Sequence, residues 1–313
     1  MPSTEIQRAA VVGSGLMGSS IAQVLAAGGV EVDLVDVDEK ALARGRRLIE
    51  SGLATLAEAG KVPPERIGEI LGRIHPARDL RPAAEAADFA IEAVPEVPRI
   101  KERILTDLGE VCRPGAVIAS NTSALNVFEL GDVPHPERLV IAHFFAPAHI
   151  VPLVEVVPGP ETSADTVSRT AAFLRGLGKS PIVMKKFGPG FIVNRIQKAI
   201  GEACLELVEE GLVEPPEVDR AVKLSLGVRL PVVGVMQTLD FQGLDMLLDT
   251  MKNYGRVFRF IEEKVREGRL GAKTSCGIYE YQGRSEEEIL RKRDLLYLKM
   301  LDVLTALNTI EPV

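Results

Sequence analysis

The chain has 313 residues, 46% hydrophobic and 26% charged, the balance of a folded protein with room for two domains. Its net charge of −7 and lack of a basic tract exclude a nucleic-acid-binding surface, which needs clustered Lys and Arg. No run approaches the roughly 18 apolar residues of a spanning helix, the start MPSTEIQRAA has no secretory core, and Cys112, Cys204 and Cys276 lack metal-ligand spacing, so a cytoplasmic, disulfide-free protein with no metal and no membrane partner is expected.

The first elements lie between Ala9 and Asp36: an apolar strand, a Gly13-x-Gly15-x-x-Gly18 turn, an apolar helix, a second strand and a terminal acid. Each residue type has a physical use. Gly13 permits the tight turn, Gly15 lets the backbone approach a pyrophosphate, and Gly18 allows close helix packing. The helix opening at Leu16, Met17 and Gly18 points unpaired amides at phosphates. Asp36, 23 positions after Gly13, suits hydrogen bonding to ribose hydroxyls and repels a 2′-phosphate, which predicts NAD over NADP.

A long helix is expected from Asp38 to about Gly60, with Pro63-Pro64 opening a second, together a helical hairpin inserted into the sheet domain. Strands are expected at Asp88 to Val94, Ala116 to Ser120, Leu139 to Phe145, Leu153 to Val157 and Pro181 to Lys185. Helical patterns run from Ile100 to Cys112 and from Thr162 to Leu177. This alternation predicts an α/β fold, a doubly wound, mostly parallel dinucleotide-binding sheet over residues 1–187. After FGPG the periodicity turns helical, so residues 188–313 are expected to form an all-helical domain. Its helices are placed at Pro216 to Leu226, Gly243 to Asn253, Arg256 to Glu267 and Ser285 to Leu307. Their apolar stripes predict a homodimer.

An alcohol dehydrogenase needs a base for the hydroxyl proton, and histidine suits that task. His75, before Pro76, reads as a turn residue, and His135, between two prolines, as a loop residue. His143 differs, because the apolar strand RLVIA delivers it to a strand end, where ligands bind in open α/β sheets. Twelve residues on, Glu155 is an acid inside the apolar run PLVEVV and needs a partner, for which the His143 imidazole is the economical choice. A buried His–Glu hydrogen bond without chemistry is the alternative; with a dinucleotide site in the same domain, a catalytic pair is expected. The run SNTSAL, Ser120 to Leu125, supplies hydroxyls and amides at another strand end, or merely caps a helix. Asn194 either turns its amide toward a cleft or faces solvent.

GSGLMG, EAVPE, SNTSAL, HFFAP, PLVEV, GPGFIVNR and GAKTSCG, in this order over nearly the whole chain, resemble the 3-hydroxyacyl-CoA dehydrogenase family of 3-hydroxybutyryl-CoA dehydrogenase and lambda-crystallin type. The resemblance implies that His143 is the catalytic base with Glu155 as its partner, and that Ser123 and Asn194 hydrogen-bond the substrate oxygen. It also implies that Glu96, Lys101, Ser123 and Lys273 approach NAD. Ala146 stands where the family has an Asn that contacts the cofactor, and Gly52 and Ala59 stand where acyl-CoA enzymes hold a Ser and a Lys for CoA. NAD-dependent oxidation of a 3-hydroxyacyl thioester is therefore expected, with a free polar 3-hydroxy acid of L-gulonate or carnitine type, or crystallin-like binding without turnover, as alternatives. His149, between His143 and Glu155, is either substrate-facing or a polar loop residue.

Overall fold

The computed structural model describes residues 6–307. The chain opens with β1 (Arg8–Val12), α1 (Leu16–Ala27) and β2 (Glu31–Val35). The hairpin α2 (Glu39–Glu58) and α3 (Arg66–Gly72) follows, with Asp38 capping α2 through the Lys40 amide. Next come β3 (Ile74–Ala77), α4 (Leu80–Ala86), β4 (Phe89–Glu92), α5 (Pro98–Val111) and β5 (Val117–Ser120). The sheet finishes with β6 (Leu139–Phe144), β7 (Leu153–Pro158), α6 (Ala164–Gly176) and β8 (Ser180–Val183).

The strands form one sheet in the order β3-β2-β1-β4-β5-β6-β7-β8, and every pairing is parallel except β6 with β7. Two apolar layers cover it. Ile21, Leu25, Ile49, Leu53 and Leu174 from α1, α2 and α6 pack on one face, and Ala84, Leu105 and Leu108 from α4 and α5 on the other. Strands buried on both faces read as continuous apolar runs, which is why β1, β4 and β5 are plain in the sequence.

Two expectations need correction. His75 is not a turn residue: it lies in β3, opposite Asp33, with Nε2 2.8 Å from Glu31 Oε2. Pro76 disguised the strand, and β3 tolerates it because it is the edge of the sheet. The second correction lies in the helical part, formed by α7 (Val193–Glu209), α8 (Pro215–Leu224), α9 (Leu226–Gln242), α10 (Leu244–Asn253), α11 (Arg259–Arg266) and α12 (Glu286–Ala306). Helix α9 was not expected: it carries Pro231 and breaks at Gly234, whose φ of 68° interrupts the periodicity.

The chain packs as two compact units, one ending at Ala199 and one beginning at Ile200, so that α7 runs from the first into the second. Among the described residues no single helix is long and apolar enough to cross a membrane. The cysteines are free, and burial pushes the Cys112 thiol up to about 11.

Candidate active site

The glycine turn is built as its residue types require. Gly13 has a φ of 101°, and a Cβ there would lie 2.8 Å from the Ala93 carbonyl oxygen. A Cβ on Gly18 would lie 1.7 Å from the Gly13 carbonyl oxygen, so the helix can start this close to the strand only without a side chain. At Gly15 the same Cβ meets open space, leaving the backbone approachable. Leu16 and Met17 open α1, so their amides have no partner within the helix, while the Leu16 side chain is exposed and Met17 packs partly on the core.

Asp36 Oδ2 accepts the Ser14 amide at 2.9 Å and the Ser14 hydroxyl at 2.8 Å, and Oδ1 accepts the Asp38 amide at 3.1 Å. Partial burial works against the charge, but these bonds prevail and hold the carboxyl below its ordinary value. A carboxylate has about four acceptor positions, and these three bonds leave about one for a ribose hydroxyl. The turn therefore fits a dinucleotide.

His143, on β6, stands directly opposite Glu155 on β7. The antiparallel register places both side chains on one face, and His143 Nδ1 lies 2.8 Å from Glu155 Oε2. Glu155 is 0% exposed, and its Oε1 accepts the amides of Ile192 and Val193 at 2.9 and 3.0 Å. Burial would raise this carboxyl, but the bonds from His143, Val193 and Ile192 outweigh it and hold the group ionised. An ionised carboxylate only accepts, so Nδ1 carries a proton, and in the neutral ring Nε2 presents its lone pair. Among the described residues Nε2 has no hydrogen-bond partner. Phe145 and Phe191 flank the ring at centroid distances of 4.5 and 5.4 Å.

Beyond β5 the SNTSAL loop is gripped by Glu96, whose Oε1 accepts the Thr122 hydroxyl at 2.6 Å and the Ser123 and Ala124 amides at 3.0 Å. Burial opposes the charge on Glu96, while Thr122 and Lys101 lower its pKa and prevail. Ser123 is exposed, and its carbonyl accepts Asn194 Nδ2 at 3.1 Å. The fold thus brings Glu96, Ser123 and Asn194 together.

Lys101 is 1% exposed, with Nζ 2.9 Å from both Glu92 oxygens and 3.2 Å from Glu96 Oε2. Its ammonium bears on the loop through Glu96. Glu92, which also accepts the Ser120 hydroxyl, was not singled out in the sequence. Its signal was available, for AIEAV buries an acid in an apolar run just as PLVEVV does. Lys273 belongs to the helical unit, where it pairs with Asp245 at 2.5 Å. Ala146 precedes Pro147 through a cis peptide bond.

A model of the 3-hydroxyacyl-CoA dehydrogenase NAD-binding domain matches residues 8–187, and one of that family's C-terminal domain matches residues 190–281. The chain is 35% identical to a probable 3-hydroxybutyryl-CoA dehydrogenase of Deinococcus radiodurans, covering 87% of this chain and 99% of that protein. It is 30% identical to the 5-formyl-3-hydroxy-2-methylpyridine 4-carboxylate 5-dehydrogenase of Mesorhizobium japonicum, over 92% of this chain and 95% of that one. The solved 3-hydroxyacyl-CoA dehydrogenase of Archaeoglobus fulgidus superposes with a TM-score of 0.79 at 30% identity, covering 97% of this chain and 100% of that one. With its glycine turn, Asp36 and both domain matches, the chain belongs to the 3-hydroxyacyl-CoA dehydrogenase family of NAD-dependent oxidoreductases.

Proposed function

We propose that the protein oxidises the 3-hydroxyl of a 3-hydroxyacyl-CoA, reversibly, with His143 as general base and Glu155 as the residue that fixes its tautomer. The observation that carries this reading is the His143–Glu155 pair at 2.8 Å with Nε2 unpartnered among the described residues. NAD, when bound, supplies the hydride acceptor. His143 Nε2 takes the hydroxyl proton, and the Glu155 carboxylate stabilises the imidazolium so formed. Ser123 and Asn194 hold the substrate oxygen, and the Ser123–Asn194 contact at 3.1 Å supports a common target for both. Gly13, Gly15, Leu16, Met17, Gly18 and Asp36 receive the dinucleotide, with Glu96, Ser123 and Lys273 completing its site and Lys101, held between Glu92 and Glu96, acting on it through Glu96.

A second reading, a free polar 3-hydroxy acid as substrate, is favoured by Gly52. A Cβ there would lie 2.6 Å from Gln23 Oε1, so the place of a CoA-binding serine is already filled by a buried carboxamide. The relative acting on a pyridine carboxylate is in keeping with this alternative. The test is NADH formation with (S)-3-hydroxybutyryl-CoA beside free 3-hydroxybutyrate, L-gulonate and carnitine. Turnover on the thioester is expected; turnover on a free acid alone overturns the first reading in favour of the second, and NAD binding without any turnover overturns both.

We assign cofactor binding to residues 1–187 and dimerisation to 188–313, in a cytoplasmic homodimer. Support comes from the apolar surface of the helical unit, where Leu205, Leu212, Met246 and Leu298 are all more than half exposed. Sedimentation showing a monomer at micromolar concentration would remove this assignment.

A further inference from the structure

Between β8 and α7 the backbone takes a conformation that its side chain does not favour. Phe191 has a φ of 49°, directly after Gly190 at 72°. Glycine takes left-handed angles at no steric cost, whereas any other side chain there brings its Cβ against a carbonyl oxygen. Phe191 is nonetheless 3% exposed, with its ring edge-on to His143 and Phe187 at centroid distances of 5.4 and 5.8 Å. Its amide donates to the Gly188 carbonyl at 2.9 Å. Burial of the ring thus holds in place a turn that would otherwise relax.

What the turn gains is the direction of the next two amides. Ile192 and Val193 both donate to Glu155 Oε1, at 2.9 and 3.0 Å. Successive N–H groups in a left-handed turn make a concavity that receives an anion, and here the anion is a side chain of the same chain. With Oε1 taken, Oε2 faces His143 Nδ1 at 2.8 Å. One residue on, Asn194 Nδ2 donates to the Ser123 carbonyl at 3.1 Å. The stretch from Gly190 to Asn194 therefore reaches the imidazole through Glu155 and the SNTSAL loop through Asn194.

We infer that Phe191 is a positioning residue for the reaction: its left-handed backbone aims the Ile192 and Val193 amides at Glu155, which in turn fixes how the His143 ring is presented to the substrate hydroxyl. The inference rests on the His143–Glu155 pair acting as proposed above. A side chain of similar bulk that resists the left-handed angle then disturbs the pair and not merely the core.

Leucine and isoleucine in place of Phe191 separate the two effects, because these isomers remove the same ring and only isoleucine's branched Cβ strongly resists a positive φ. Phe191→Leu is expected to lower kcat about threefold and Phe191→Ile about thirtyfold, with KM and NADH affinity within about twofold of the wild type in both. The downfield proton resonance that disappears in His143→Gln, from the Nδ1–H bonded to Glu155, should persist in Phe191→Leu and be lost in Phe191→Ile. Equal kcat and equal resonances in the two, whatever their urea midpoints, overturn the proposal and make Phe191 a core residue only. If Phe191→Ile does not fold, Val193→Pro decides, because it removes one of the two amides at the first residue of α7, a position that accommodates proline. A fall of about tenfold in its kcat supports the proposal, and wild-type kcat overturns it. Full turnover in His143→Gln would instead remove the catalytic pair, and with it the part of Phe191 in the reaction. Loss of turnover there beside equal Leu and Ile variants would remove Phe191 alone.

Discussion

Two buried carboxylates, Glu92 on β4 and Glu155 on β7, stand on strands separated by β5 and β6 in the same sheet, and they are partnered in opposite ways. Glu92 on β4 meets a full ammonium, and Lys101 between Glu92 and Glu96 is enclosed on every side. Glu155 meets an imidazole on one oxygen and two backbone amides on the other, and the imidazole keeps its far nitrogen unpaired among the described residues. A closed ion pair has no vacancy for a proton and acts as scaffold; a half-occupied imidazole has one and can do chemistry. Burial alone therefore does not mark the reacting group. The unsatisfied nitrogen is what singles out His143 for the role proposed above.

Three perturbations sharpen this contrast. Lys101→Met should have the largest effect, a loss of about 3–5 kcal/mol of stability, because it strands the Glu92 charge in the interior. Urea unfolding would measure it, and a midpoint within error of the wild type would mean that the ion pair is dispensable. Next, His143→Gln should reduce turnover by about 100-fold or more, roughly 2.7 kcal/mol of barrier, with little change in urea midpoint or in NADH affinity by fluorescence titration. Comparable turnover in that variant would remove His143 from its assigned role.

The smallest effect concerns acid. Glu155, Glu96 and Asp36 all have folded pKa values held below their ordinary 4.5, 4.5 and 3.8. Each therefore contributes stability that is fully present above the ordinary value and is lost as pH falls through the lowered folded one. The urea midpoint should be flat from about pH 7 to 6 and decline below about 4.5, with a shallower decline in Glu155→Gln. An equal slope in wild type and variant would show that the Glu155 carboxylate is not part of the acid response.

Much of this was legible in the chain. The β1-α1-β2 unit carries its own steric logic in three glycines, and Glu155 announced a partner by sitting inside an apolar run. The same signal at Glu92 was equally visible, but its partner sits nine residues on in a charged helix, where Lys101 looks like any solvated lysine. Strand β3 was hidden because IHPA lacks both alternation and β-branched density, and only its edge position makes the proline acceptable. Helix α9 was hidden by Pro231 and Gly234, whose meaning as a kink depends on packing. The Ser20–His149 contact spans 129 positions, and no local pattern predicts it.

The segment following β4 joins two functions that the sequence lists far apart. Ala93 donates its amide to Val12 at 2.7 Å and presses its carbonyl against Gly13, while Glu96, three residues later, holds the Ser123 and Ala124 amides. The phosphate-facing turn and the SNTSAL loop are thus moored to one short length of backbone. A displacement of either is passed to the other through four residues, so this turn works as a common gauge that sets the spacing between the glycine turn and the SNTSAL loop, the two places to which cofactor and substrate oxygen are assigned in the proposed function.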